Sequence, residues 1–179
     1  MRSLEGLTIV LMGASGGMGT ACALRLAKPG INIAVCSANP ARVAELEKKL
    51  KPTGAGLYAA AVDVTDEAQV TAFMDAVYEK FGRVDILVNF AGLSITAKLE
   101  SFTEADYDKV FGVNVKGMLF STKAFAAHTD PEEGALVISF GSMAAKRANP
   151  NAPHYSAAKA AVNMLTDGLA QQLKARNIR

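Results

Sequence analysis

Five short, nearly all-apolar runs punctuate the chain. They are Leu7–Met12 (LTIVLM), Ile31–Cys36, Leu57–Val62, Val84–Asn89 (VDILVN) and Ala135–Phe140. Runs of this length and uniformity predict strands covered on both faces. Stripes of helical period lie between them. Met18, Cys22 and Leu26 recur at i+4, and Val43, Leu46 and Leu50 mark a second helix that Asn39-Pro40 opens and Pro52 ends. Val70, Phe73, Met74, Val77 and Phe81 form a third stripe, capped by Thr65 or Asp66 and stopped at Gly82. Thr103 caps one long helix bearing Tyr107, Phe111, Asn114, Met118 and Phe125, and an alanine-rich helix follows Ser156. Strands alternating with helices predict an α/β doubly wound parallel sheet.

The length, 179 residues, suits a single domain over residues 1–179. A net charge of +2 gives no argument for nucleic acid or an anionic membrane. Cys22 and Cys36 lack metal-ligand spacing and read as reduced, packed thiols, so no metal is expected. The opening MRSLEGL lacks the apolar core of a signal peptide, and no run approaches membrane-spanning length. These features predict a soluble, cytoplasmic protein.

The first strand runs into Gly13-Ala14-Ser15-Gly16-Gly17-Met18-Gly19 and then a helix. Glycines let a backbone approach a pyrophosphate, and the helix N-terminus supplies free N–H groups. The alternative is a tight turn without ligand. At the end of the second strand, where an acid would repel a ribose 2′-phosphate, stand Ser37, Ala38 and Asn39. Arg42 either reaches such a phosphate or decorates a solvated helix face. Asp63 either holds an adenine amino group or is a local turn residue. Phe90-Ala91-Gly92 after the fourth strand would let a ligand lie on the backbone. Asn114 sits on an apolar stripe, as a structural amide or a site residue, and His128 reads as a C-terminal helix cation.

Ser142 ends the fifth strand, where open α/β sheets place ligands. The 12 residues between it and Tyr155 form a loop able to bring the two together. In Tyr155-Ser156-Ala157-Ala158-Lys159 the phenol and ammonium stand one helical turn apart. An ammonium beside a phenol favours phenolate and is expected to lower the tyrosine pKa from about 10, making it a usable acid or base. His154 is expected to point away, exposed.

Together Gly13-x-x-x-Gly17-x-Gly19, Asp63, Asn89-Phe90-Ala91-Gly92, Asn114, and Ser142 thirteen residues before Tyr155-x-x-x-Lys159 resemble the short-chain dehydrogenase/reductase family. The flavour is similar to 3-oxoacyl-carrier-protein reductases and related carbonyl or polyol enzymes. The resemblance implies a Rossmann-like fold and hydride transfer between NAD(P) and a carbonyl or secondary alcohol. It implies that Tyr155 exchanges the proton with the substrate oxygen and Ser142 hydrogen-bonds that oxygen. Lys159 would hold the nicotinamide ribose, and Asn114 a water of the proton relay. The cofactor would contact Gly13, Ser15, Gly16, Gly17, Met18, Gly19, Ser37, Asn39, Asp63, Val64, Asn89, Ala91 and Gly92, along with Tyr155 and Lys159. With no acid after the second strand, NADP is expected over NAD. A small-molecule substrate and a homodimer or homotetramer are also implied. Met12 and Phe90 depart from the family's usual threonine and second asparagine. The sequence ends before the family's sixth and seventh strands, so the fifth strand is expected to be a bare edge. Two other readings stay open: a catalytically idle dinucleotide-binding or interaction domain, and a nucleotide-sugar epimerase-like enzyme.

Overall fold

A computed structural model describes residues 3–179. Five parallel strands form one sheet: β1 (Thr8–Met12), β2 (Asn32–Ser37), β3 (Gly56–Ala61), β4 (Ile86–Asn89) and β5 (Leu136–Ser139). Their spatial order is β3-β2-β1-β4-β5. The chain winds outward from β1 in one direction, then crosses back to β4. The crevice at the carboxyl ends of β1 and β4 is therefore the topological switch point, where such sheets bind ligands.

Both faces of the sheet are covered, which explains the unbroken apolar runs. Val10, Met12, Ala34, Cys36 and Leu87 pack on one face against Val70, Phe73, Met74 and Val77 of α3 (Glu67–Phe81) and Phe125 of α5 (Gly117–Ala127). Ile9, Leu11, Ile33 and Val35 pack on the other against Ala23 of α1 (Gly17–Leu26) and Leu46 and Leu50 of α2 (Pro40–Leu50). Helix starts follow their capping residues. The Asn39 side chain accepts from the Arg42 amide, Asp66 from those of Ala68 and Gln69, and Thr103 forms a capping box with Asp106.

Two expectations are corrected. The stretch after Thr103 is not one regular helix. A π turn, Gly112–Lys116, separates α4 (Glu104–Phe111) from α5, with the Gly117 N–H bonded to the Gly112 carbonyl. Nor is the β5 edge bare. Asn177–Arg179 runs parallel to its start: the Ala135 amide donates to Asn177 O at 3.0 Å, and the Val137 amide to Arg179 O at 2.7 Å. Ile138, beyond that pairing, stays 40% exposed.

Candidate active site

The glycine loop is built by close approach. Gly13 has φ +76°, and a Cβ there would lie 2.5 Å from the Ala91 amide nitrogen. Only glycine holds this corner, where the loop after β1 meets the Phe90–Gly92 segment after β4. The Phe90 and Ala91 amides both donate to Met12 O, which locks the two loops together. Gly19 lies against Ala14, where a Cβ would stand 2.7 Å from its Cα. Gly17 differs: among the described residues, a Cβ there would meet nothing within 4 Å. Helix α1 begins at this opening with Gly16 as N-cap, no side-chain cap and no acid in its first turn. Its first N–H groups are thus presented to an open space, an arrangement suited to an anion. Met18 beside them is 64% exposed.

Next to the loop, Ser15 Oγ donates to Ser37 Oγ at 2.6 Å across the ends of β1 and β2. Asn39 is occupied as the α2 cap, and Arg42 is exposed. Asp63 Oδ1 accepts from the Thr65 amide and hydroxyl at 2.9 and 2.8 Å. Val64 is buried against Gly117. Below the loop, the buried Cys36 thiol contacts Met12 Sδ at 3.4 Å, and desolvation pushes its pKa up to about 12.

The far side of the crevice gathers Gly92, Asn114 and Lys159, with Tyr155 beside Lys159 and Asn89 at the end of β4. The buried Asn89 Nδ2 donates to Ser139 Oγ at 3.3 Å. The Asn114 amide nitrogen donates to Leu93 O at 2.7 Å and Val110 O at 2.8 Å. Among the described residues, Oδ1 of Asn89 and of Asn114 are buried acceptors without a donor. Such acceptors call for an additional donor. A Cβ on Gly92 would lie 3.3 Å from Asn114 Oδ1 and 3.6 Å from Lys159 Nζ, so these two groups converge on one glycine.

Tyr155 and Lys159 lie in the first turns of α6 (Pro153–Leu173). Tyr155 is half-buried. Lys159 is buried, and its Nζ donates to Phe140 O at 2.9 Å, 5.9 Å from the Tyr155 ring centroid. Burial holds its ammonium below the ordinary lysine range. The Phe140 carbonyl was not foreseeable, because its role comes from strand position and any residue supplies it. Ser142 is half-buried and extended, and its Oγ accepts from the Ala144 amide at 3.1 Å.

His154 is corrected. It is buried, not exposed, and packs against Phe102 in a tilted arrangement with ring centroids 4.3 Å apart. The loop before α4 folds over the start of α6, which the periodicity of α6 alone does not reveal. His128 does end α5, and its Nε2 lies 2.7 Å from Asp75 Oδ1.

No helix among the described residues is long and apolar enough to cross a membrane. The open anion cradle and the orphaned acceptors fit a dinucleotide lying across the strand ends. The family model described as short chain dehydrogenase matches residues 7–179. An uncharacterized oxidoreductase of Methylorubrum extorquens is 35% identical over 180 residues, covering 100% of this chain and 72% of the relative. A 3-oxoacyl-[acyl-carrier-protein] reductase FabG of Thermotoga maritima is 30% identical over 176 residues, covering 98% and 72% respectively. The crystal structure of an NAD+-bound xylitol dehydrogenase superposes with a TM-score of 0.93 at 30% identity, covering 99% of this chain and 69% of that one. The chain belongs to the short chain dehydrogenases, enzymes that use a nicotinamide dinucleotide as oxidoreductases.

Proposed function

We propose that the protein reduces a carbonyl, or oxidises a secondary alcohol, with Tyr155 as the proton donor and acceptor. The observation that carries this reading is the convergence of Asn114 Oδ1 and the buried Lys159 Nζ on Gly92, with the Tyr155 ring beside Lys159. The bound nicotinamide would supply the hydride for reduction and accept it in oxidation. Gly16, Gly17, Met18 and Gly19 would hold its phosphates at the uncapped start of α1, with Gly13 shaping the turn. Ser15, Ser37 and Asn39 would meet the adenosine ribose, and Asp63 and Val64 the adenine. Asn89, Ala91 and Gly92 would line the nicotinamide side.

The chain's own residues handle the proton. Tyr155 Oη would give its proton to the carbonyl oxygen on reduction and take it back on oxidation. Ser142 Oγ would donate to that same oxygen and orient it. Lys159, held by the Phe140 carbonyl, would meet the ribose hydroxyls and place positive charge beside the phenol as it loses its proton. Asn114 Oδ1 would accept from a water replacing that proton. Positioned acid–base catalysis of this type contributes about 10²–10⁴-fold.

We further propose NADP over NAD. No carboxylate stands at the end of β2, and the Ser15–Ser37 hydroxyl pair can donate to a 2′-phosphate, with Arg42 as a nearby cation. Calorimetric titration with both cofactors tests this; clearly tighter NAD binding would overturn it. The reaction is tested by following nicotinamide redox change over ketones, oxoacyl thioesters and polyols. Dinucleotide binding without turnover of any of them would favour the idle-domain reading.

A further inference from the structure

The π turn that carries Asn114 has a physical cause outside the site. In a regular helix the Val110 carbonyl would accept from the backbone amide of residue 114. The turn widens the ladder to i−5, as the Gly117-to-Gly112 bond shows. The Asn114 side chain donates to the Val110 carbonyl at 2.8 Å and to the Leu93 carbonyl at 2.7 Å. Those two bonds use both amide hydrogens and aim Oδ1 at Gly92 and Lys159. A π turn is rare and survives where packing holds it.

The packing is at Gly117. This helix lies directly on the β3–α3 loop, the same loop that carries Asp63 and Val64. A Cβ on Gly117 would stand 2.8 Å from Val64 Cγ2, 3.1 Å from its Cβ and 3.3 Å from its carbonyl oxygen. Val64 is buried and β-branched, so it cannot swing away. One turn earlier, Gly112 has room: a Cβ there would lie 3.4 Å from Thr65 Cγ2, an ordinary contact.

We infer that Gly117 is a positioning residue for Asn114: its missing side chain seats the π turn on Val64 and thereby sets where Asn114 Oδ1 lies. The inference rests on the reading of Asn114 as a site residue. Through the same contact, the nucleotide-side loop and the proton-handling side of the crevice share one packing surface.

The test is the hydrogen exchange of the Asn114 side-chain amide, assigned by its disappearance in Asn114→Ala. Gly117→Ala should lose the protection given by the Leu93 and Val110 carbonyls, while amides of α3 and the sheet keep theirs. Gly112→Ala should retain it. Adding Val64→Ala to Gly117→Ala removes the 2.8 Å clash and leaves contacts that need only a few tenths of an ångström of give, so protection should return. If Gly117→Ala alone does not fold, the double variant must. In turnover, Gly117→Ala should lower kcat by up to about 10²-fold, as expected for a misplaced catalytic group, with KM little changed. Unchanged protection in Gly117→Ala, or a loss that Val64→Ala fails to restore, overturns the inference. Unchanged turnover in Asn114→Ala would sink the catalytic reading of Asn114 instead, while the exchange experiment still judges the seat.

Discussion

Gly13 and Gly17 lie in one loop, yet their substitution by alanine should have opposite consequences. At Gly13 the backbone sits at φ +76°, which costs a residue with a side chain about 1–2 kcal/mol. The new methyl would also stand 2.5 and 2.6 Å from the Ala91 N and Cα, backbone atoms that cannot rotate aside. Overpacking of this type adds about 1–3 kcal/mol. Gly13→Ala should therefore lose about 2–5 kcal/mol of stability. At Gly17 no described residue lies within 4 Å of the new methyl, and the position is the first of α1. Alanine there should cost no stability and gain up to about 1 kcal/mol. If the opening belongs to the cofactor phosphates, that methyl displaces them. An overlap costing about 1–3 kcal/mol weakens binding by about 5–150-fold. Urea unfolding gives the stabilities, and calorimetric titration of NADP gives the affinities. Gly17→Ala that binds NADP like the wild type would refute the placement of the phosphates. Gly13→Ala with wild-type stability would refute the reading of the corner.

Two further outcomes follow from the geometry. Ser37→Asp places a carboxylate at the end of β2 and should turn the cofactor preference from NADP to NAD, read as the ratio of kcat/KM for the two; an unmoved ratio would show that Ser37 does not face the 2′-position. For Lys159, burial depresses the folded pKa, so between that value and about 10.4 the unfolded chain binds more protons than the folded one. The contribution of Lys159 to stability must rise with pH through this window, so the wild type should gain on Lys159→Met as pH climbs through it in denaturant titrations. A gap that moves the other way would contradict the burial.

The strands were legible to within two residues at either end, because a parallel sheet buried on both faces leaves uninterrupted apolar runs. Asn39 and Thr103 announced their helices through side chains that satisfy free amides, and of the two caps open for the third helix, Thr65 and Asp66, Asp66 takes the place. The glycine loop and the Tyr155–Lys159 spacing were also legible, since each rests on residue type at a fixed local distance. What stayed hidden depends on contacts between distant segments. The π turn needs Gly117 to meet Val64, 53 positions earlier in the chain. The burial of His154 needs Phe102 to fold over it. The partial cover of β5 needs Asn177–Arg179 to return to Ala135, and three residues carry no recognisable period. Asp63 was ambiguous in sequence because a turn carboxylate and a ligand carboxylate look alike there; the Thr65 hydrogen bonds show how it is held.

The central claim is that Tyr155 moves the proton in a nicotinamide-dependent reaction on this crevice. Replacing it with phenylalanine removes one oxygen and keeps the ring that packs beside Lys159. The deciding measurement is single-turnover oxidation of NADPH by the wild type and Tyr155→Phe on a carbonyl substrate found by screening, with cofactor affinity measured in parallel. The account predicts a rate lower by about 10²–10⁴-fold with cofactor affinity within a few-fold of the wild type. A Tyr155→Phe enzyme that turns over at the wild-type rate would contradict it.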